Sequence, residues 1–156
     1  MAIDKNMMRL TAIDTRIVTD TRVARVGDLI EGQEEVLEER TIAIDCHSGD
    51  WQEFTWVGIP IEPLFNAVDI PSSTTHVQVD GSDEQRACIP IGQALNGVLA
   101  LSQNGTRLTM PRFVAPGIAG PRTTKSVRRI ETRELSSGAD RTEYEHLVLK
   151  SDAMEL

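Results

Sequence analysis

The sequence predicts a single α+β domain in which strands predominate over helices. Apolar segments rich in β-branched residues recur between turn-forming residues, and most of them are shorter than ten residues. Helical periodicity is confined to three short segments. The 156 residues, of which 40% are hydrophobic, suffice for one domain with a buried core, and the aromatic content of 4% makes that core mainly aliphatic.

The elements follow in order along the chain. We expect strands at residues 10–18, 36–46, 76–80, 98–103, 113–115, 127–133 and 144–149. We expect helices at residues 26–30, 60–68 and 91–95, the second because apolar residues recur there at helical spacing. Asn104 and Gly105 predict a tight hairpin, and the acidic run at 31–39 predicts a solvated connection. The domain is expected to cover residues 10–150, with tails at 1–9 and 151–156.

The overall charge narrows the class of protein. With 24 acidic and 16 basic residues, the formal charge is -8. Only three of the basic residues are lysines, so the chain has no lysine-rich arm, which disfavours a nucleic-acid-binding protein. The same excess of acid fits either a high-salt habitat or an ordinary acidic protein.

No apolar run approaches the roughly 18 residues of a membrane span, and the start of the chain has no signal-peptide core, so we expect a soluble, cytoplasmic protein.

Basic residues are concentrated in one region. Residues 107–133 carry seven basic side chains and one acidic side chain, a local charge of +6 that leaves -14 for the rest. Within this region the loop 116–124 is rich in glycine and threonine, and Arg112 and Lys125 flank it. This combination favours a site for an oxyanion such as phosphate. For Arg128, Arg129 and Arg133 we expect instead the outer face of a strand, where carboxylates balance them.

Each of the two cysteines is interpreted singly, since they form no Cys-x-x-Cys pair. Cys46 ends an apolar strand and opens into a loop of small residues, so it could be a metal ligand, a nucleophile activated by His47, or an inert buried thiol. Cys88 lies in a strand-like run and is expected in the core. His76 and His146 stand alone in strand-like segments and are expected to have structural roles.

Two spaced motifs, taken together, resemble the sulfite oxidase family. The first runs from the strand-terminal cysteine to a Trp-x-Gly-x-Pro helix start, namely Cys46, Trp56, Gly58, Pro60 and Leu64. The second is a Leu-Ala and Asn-Gly hairpin followed by a Pro-Arg, Pro, Gly, Lys, Ile series, namely Leu99, Ala100, Asn104, Gly105, Pro111, Arg112, Pro116, Gly120, Lys125 and Ile130. The resemblance covers roughly residues 10–134 and implies a mixed, strand-rich molybdopterin-binding fold of the sulfite oxidase type.

The resemblance also implies a molybdenum cofactor and its contacts. Cys46 would ligate molybdenum through its thiolate. A soft thiolate ligand suits a metal that cycles between high oxidation states with oxo ligands. Arg112 and the run Thr123, Thr124 and Lys125 would hold the pterin and its phosphate, and Asp80 would lie near a further cofactor contact. The implied activity is oxygen-atom transfer on a small-molecule substrate, with electrons passed to a separate electron-transfer protein.

Three departures from the family pattern leave a second hypothesis open. The loop that carries a His-Gly pair in the family is reduced to residues 106–110. Sulfite oxidases carry arginines just after the cysteine, but residues 47–50 include none, and Asp50 would repel sulfite, so the substrate of sulfite oxidase is not implied. The aromatic residue that commonly follows the motif lysine is replaced by Ser126. The alternative is a cofactor-free relative that uses the same basic groove to bind another anion or a protein.

Overall fold

The computed structural model describes residues 10–45, 50–118 and 120–147. Within these ranges lie nine strands: β1 (Arg16–Val18), β2 (Val23–Arg25), β3 (Glu38–Asp45), β4 (Trp51–Pro60), β5 (His76–Asp80), β6 (Arg86–Pro90), β7 (Val98–Gln103), β8 (Thr106–Val114) and β9 (Arg129–Arg133). The α-helices are α1 (Val26–Leu29), α2 (Ile61–Val68) and α3 (Ile91–Leu95). Four 3-10 helices cover Leu10–Ala12, Glu34–Val36, Gly120–Arg122 and Arg141–Tyr144.

The strands form two sheets. Sheet I has the order β2-β1-β9-β5-β6, and sheet II has the order β3-β4-β7-β8. All neighbouring strands are antiparallel except β1 and β9, which are parallel. In this parallel pair, β1 lies near the start of the described chain and β9 near its end. Sheet I is therefore complete only once β9 pairs with β1.

One large cluster of buried side chains joins the two sheets. Alternate residues of sheet I, such as Ile17 and Ile130, and of sheet II, such as Leu99 and Phe113, belong to it and are fully buried. Helix α2 adds four residues at helical spacing, namely Ile61, Leu64, Phe65 and Val68. A smaller cluster covers the opposite face of sheet II and includes Ile42, Trp56, Val98, Ala100 and Val114. The fold therefore has an aliphatic core, with Trp56 on its far side.

Most of the predicted elements are confirmed. The three helices and the strands at 76–80 and 98–103 lie where the sequence indicates, and the strand at 127–133 begins two residues later. Asn104 and Gly105 form the two-residue turn between β7 and β8, with φ angles of 49° and 81°. Gly105 suits this turn because a residue without a Cβ adopts positive φ without strain. The predicted strand at 113–115 is the end of the longer β8.

Other predictions are wrong in part or entirely. Residues 10–18 hold a 3-10 helix followed by the short β1, and the acidic run at 31–39 includes a 3-10 helix and the start of β3. No strand covers the described part of 144–149: Arg141–Tyr144 form a 3-10 helix, and His146 makes an isolated bridge with Arg86. This helix forms because Asp140 caps it, accepting a hydrogen bond from the Thr142 backbone at 3.0 Å.

The sequence pattern missed β2 and β4. The apolar residues of β4 do not alternate regularly, because the strand has a register shift between Val57 and Gly58 and is buried on both faces beyond that point. The three-residue β2 is too short for any periodicity. The predicted tails at 1–9 and 151–156 lie outside the described residues. Within the part of the chain that the structure describes, no helix is long and apolar enough to span a membrane.

Candidate functional site

Arg112 is held against an aromatic ring on the outer face of sheet II. It lies in β8 with its Cα paired to that of Ala100. Its guanidinium carbon is 5.4 Å from the centre of the Trp56 ring, within the range of a cation–π interaction. Trp56 is fully buried, and its indole N–H donates a hydrogen bond to the carbonyl of Ile42 at 3.3 Å. Because this hydrogen bond fixes the ring, the contact with Trp56 defines the position of the Arg112 guanidinium.

The predicted Thr123–Thr124–Lys125 segment lies alongside Arg112. Two backbone hydrogen bonds on either side of Arg112 join the segment to β8: Phe113 N–H donates to the carbonyl of Thr124 at 2.8 Å, and Val127 N–H donates to that of Pro111 at 2.9 Å. The tertiary structure therefore brings together the backbones of residues that the sequence separates by a loop.

The side chains of this segment differ in exposure. Thr124 is fully buried, and its hydroxyl donates to the carbonyl of Arg122 at 3.2 Å. The hydroxyl of Thr123 is buried, and among the described residues it has no hydrogen-bond partner. Lys125 is exposed, and it makes no ion pair within the same residues. One hydroxyl and one ammonium group of the predicted site thus keep unused hydrogen-bonding capacity.

Asp80 lies next to the same segment, at the end of β5. Its backbone carbonyl accepts a hydrogen bond from Arg128 N–H at 2.8 Å. Its carboxylate accepts hydrogen bonds from Arg86 Nε at 2.9 Å and from Gln78 Nε2 at 3.1 Å. A Cβ at the following residue, Gly81, would lie 2.4 Å from the Lys125 carbonyl oxygen. Glycine is required here because the two chain segments approach too closely for any side chain.

Cys46 lies outside the described residues, as do His47, Ser48 and Gly49. The strand predicted to lead to Cys46 is present as β3, which ends at Asp45, one residue before the cysteine. The neighbouring strand β4 begins at Trp51, whose Cα pairs with that of Asp45. Among the described residues, no group of three or more His, Cys, Asp or Glu side chains could hold a metal ion. The role of Cys46 as a metal ligand therefore stays a prediction.

The arginines of the basic region are divided between ion pairs and solvent. Arg129 and Arg133 lie on the outer face of β9 near Glu131, at 2.9 Å and 3.8 Å, which confirms the expected strand-face role for these two. Arg122 pairs with the buried Glu145 at 2.8 Å. Arg128 precedes β9, is exposed and makes no ion pair within the described ranges, so the expected strand-face position and carboxylate partner are wrong for this residue.

Cys88 is a buried structural residue, as predicted. Its side chain is fully buried, and burial followed by the charge of Glu145 raises the pKa of its thiol. His76 is half-buried, with Nδ1 2.9 Å from the Thr75 hydroxyl. Burial and the positive charge of Arg141 lower the pKa of His76, so the ring is neutral at pH 7. These properties fit a structural role for both residues.

A cleft of about 690 Å³ opens beside Asp80. It is lined in part by Arg16, Arg86, Arg128 and His146, and it includes Asp80 from the predicted site but not Arg112, Thr123 or Lys125. The sequence pattern does not group Arg16 with Arg86, because the strands that carry them are far apart in the chain. Strand register is the only signal that could have grouped them.

Comparisons with known proteins agree with the fold. The family model described as the oxidoreductase molybdopterin binding domain matches residues 17–139. Among solved structures, the sulfane dehydrogenase SoxCD from Paracoccus pantotrophus is similar, with a TM-score of 0.66, 17% sequence identity, and coverage of 85% of this chain and 41% of that chain. At this identity the likeness concerns the fold, and the chain spans less than half the length of that solved chain. A search of the curated proteins found no match.

Proposed function

Because the chain belongs to the oxidoreductase molybdopterin-binding domain family, we propose that it binds a molybdopterin cofactor and forms the cofactor-carrying part of an oxidoreductase. The observation that carries the proposal is the pair of backbone hydrogen bonds that holds Thr123–Lys125 beside Arg112. These are the residues that the family resemblance assigns to the pterin and its phosphate. The fold itself, which is of the sulfite oxidase type, supports the same assignment.

The residues present fit an anionic ligand of this kind. The Thr123 hydroxyl is buried without a hydrogen-bond partner among the described residues, which is unfavourable unless a ligand supplies one. Lys125 offers an ammonium charge that no described carboxylate neutralises. The guanidinium of Arg112, held over Trp56, adds planar donors suited to phosphate. The protein's part is therefore to bind and orient the cofactor by charge and hydrogen bonding.

Each residue has a distinct task in this proposal. Lys125 and Arg112 neutralise the phosphate and pterin, and Thr123 donates one hydrogen bond. Asp80 orients the neighbouring backbone, since its own carboxylate already accepts hydrogen bonds from Arg86 and Gln78. Cys46 supplies the thiolate ligand of the metal. The chemistry supplied by the cofactor when bound is oxygen-atom transfer between water and a small-molecule substrate, with two electrons exchanged with a separate electron-transfer protein.

The proposal is tested by expressing the full chain in a host that makes the molybdenum cofactor and measuring molybdenum and pterin per protein. We expect one of each per chain, loss of molybdenum in Cys46→Ser, and a several-fold loss of pterin in Lys125→Gln. Arg107→Gln is the matched control, because Arg107 is an exposed cation of the same basic region outside the proposed site. Its cofactor content should equal that of the wild type.

A folded protein that carries neither molybdenum nor pterin from such a host would overturn the proposal. Residues 106–110, where the resemblance implies a longer loop in the family, form the first part of strand β8 in this chain, which makes this outcome informative. It would favour the cofactor-free relative. That alternative predicts anion binding that Arg112→Ala abolishes and Cys46→Ser leaves unchanged.

A further inference from the structure

A row of arginines crosses sheet I at a single level. The register of the five strands places the Cα atoms of neighbouring residues opposite one another: Arg25 with Arg16, Arg16 with Arg129, Arg129 with Asp80, and Asp80 with Arg86. Residues paired in this way project from the same face of a sheet. This arginine row, formed by Arg25, Arg16, Arg129, Asp80 and Arg86, therefore holds four positive charges and one negative charge, a net charge of +3.

Carboxylates neutralise only part of the row. Arg25, at one end of the row, forms ion pairs with Asp14 and Asp28. Arg86, at the other end, forms an ion pair with Asp80 at 2.9 Å. Arg129 bonds Glu131 on its own strand.

Arg16, at the centre of the positive stretch, makes no ion pair with any described residue. Like charges on directly opposed strand positions repel each other and destabilise a sheet. The exposed Arg16 therefore leaves an uncompensated cation between two arginines.

The cleft of about 690 Å³ lies over this part of the row. Arg16, Arg86, Arg128 and Arg129 line it. Arg128 is fixed beside Arg16, because its carbonyl accepts a hydrogen bond from Arg16 N–H at 3.0 Å. A volume of this size falls within the range of about 300–1,000 Å³ that small ligands occupy in proteins.

Three carboxylates also line the cleft, and two of them are engaged elsewhere. Asp14 bonds Arg25 at 3.2 Å, and Asp80 bonds Arg86 and Gln78. The third, Glu84, is exposed, and its backbone carbonyl lies 3.0 Å from Nδ1 of His146. Four arginines of the lining therefore face three carboxylates, and no ion pair among the described residues engages Arg16 or Arg128.

We propose that this cleft is a second anion site, which binds a small molecule with two or more phosphate or sulfate groups. Arginine donors in a planar fork match such groups, and their spread along the row suits a ligand with more than one of them. A nucleic-acid strand is disfavoured by the total charge of -8 and by a lining without Phe, Tyr or Trp side chains for base stacking. The site does not depend on the proposed cofactor, since it shares only Asp80 with the cofactor residues.

The test measures binding of inorganic pyrophosphate to the full chain by calorimetry, together with its effect on Tm. Wild-type protein should bind it and gain in Tm as its concentration rises. Arg16→Gln and Arg128→Gln should each weaken binding about tenfold or more, because each removes charge-assisted hydrogen bonds. Arg107→Gln, which removes an exposed cation outside the cleft, is the control and should bind like the wild type.

A second measurement separates a binding site from a structural role. Without ligand and at low salt, Arg16→Gln should raise Tm, because it relieves repulsion from Arg25 and Arg129, and the gain should shrink as salt is added. A lower Tm in this variant would overturn the inference. So would pyrophosphate binding that Lys125→Gln abolishes and Arg16→Gln leaves intact. That last result would support the proposed cofactor site while refuting the second one.

Discussion

The buried ion pair between Glu145 and Arg122 fastens the end of the described chain to sheet I, and Glu145→Gln tests its contribution. The Glu145 side chain is 4% exposed, and its carboxylate accepts two hydrogen bonds from Arg122, each at 2.8 Å. It also accepts the backbone N–H of Cys88, in β6, at 2.9 Å. The amide of glutamine has nearly the same shape, so the substitution removes the negative charge without leaving a cavity.

The expected cost follows from the charge left behind. Breaking a buried pair by removing one partner typically costs about 3–5 kcal/mol. Arg122 is 19% exposed and keeps some contact with solvent, so we expect a loss of about 3 kcal/mol in the free energy of unfolding. This is a large share of the roughly 5–15 kcal/mol that stabilises a typical domain. Urea denaturation at pH 7 measures it.

A double variant distinguishes lost charge pairing from lost packing. In Arg122→Met with Glu145→Gln, no charge is left unpaired and the glutamine oxygen still accepts the Cys88 N–H, so most of the lost stability should return. Glu143→Gln, on the exposed side of the same 3-10 helix, is the control and should change stability by less than about 0.5 kcal/mol. If Glu145→Gln costs no more than this control, or if the double variant recovers nothing, the reasoning is refuted.

The pH dependence has a definite sign. Burial acts to raise the pKa of Glu145, but the hydrogen bonds from Arg122 and Cys88 outweigh it, so the pKa lies below its ordinary value of 4.5. A carboxyl whose pKa is lower in the folded state stabilises the fold above its unfolded pKa. This contribution should be complete at neutral pH and lost as the pH falls below about 4.5 toward the folded pKa. Glu145→Gln should flatten that part of the stability curve.

Two further substitutions test local geometry. Gly81→Ala should lower the free energy of unfolding by about 2 kcal/mol or more, because its Cβ would lie 2.4 Å from the Lys125 carbonyl oxygen. Gly92→Ala is the control and should not lower the free energy of unfolding, because no atom lies within 4 Å of the new Cβ and alanine favours the helix α3 in which it stands. Chemical denaturation compares the two variants. In Cys46→Ser, where Cys88 is the remaining thiol, a thiol reagent should react only after denaturation, because Cys88 is fully buried and its pKa is raised. Rapid labelling of the native variant would contradict this burial.

Much of the fold could be predicted from local patterns. The helix α2 follows from four apolar residues at helical spacing, which pack on one face. The turn at Asn104 and Gly105 follows from two residues that tolerate positive φ. The register shift of β4 disrupts the period of two, so the pattern does not predict that strand. The strand predicted at 144–149 is wrong in its described part, because Asp140 caps a 3-10 helix that ends at Tyr144 and His146 makes only an isolated bridge.

For the functional sites, sequence and structure determine different things. The order of the motifs around Cys46, Arg112 and Lys125 by itself determined the family, since each residue type and its spacing along the chain can be recognised without knowing the fold. Only the tertiary structure decided that Arg112 rests on Trp56. It alone also brings Arg16 beside Arg129, because the register between β1 and β9 joins residues more than a hundred positions apart in the chain. Electrostatic interactions depend on distance in space, so the charge of the arginine row appears only once the sheet has formed.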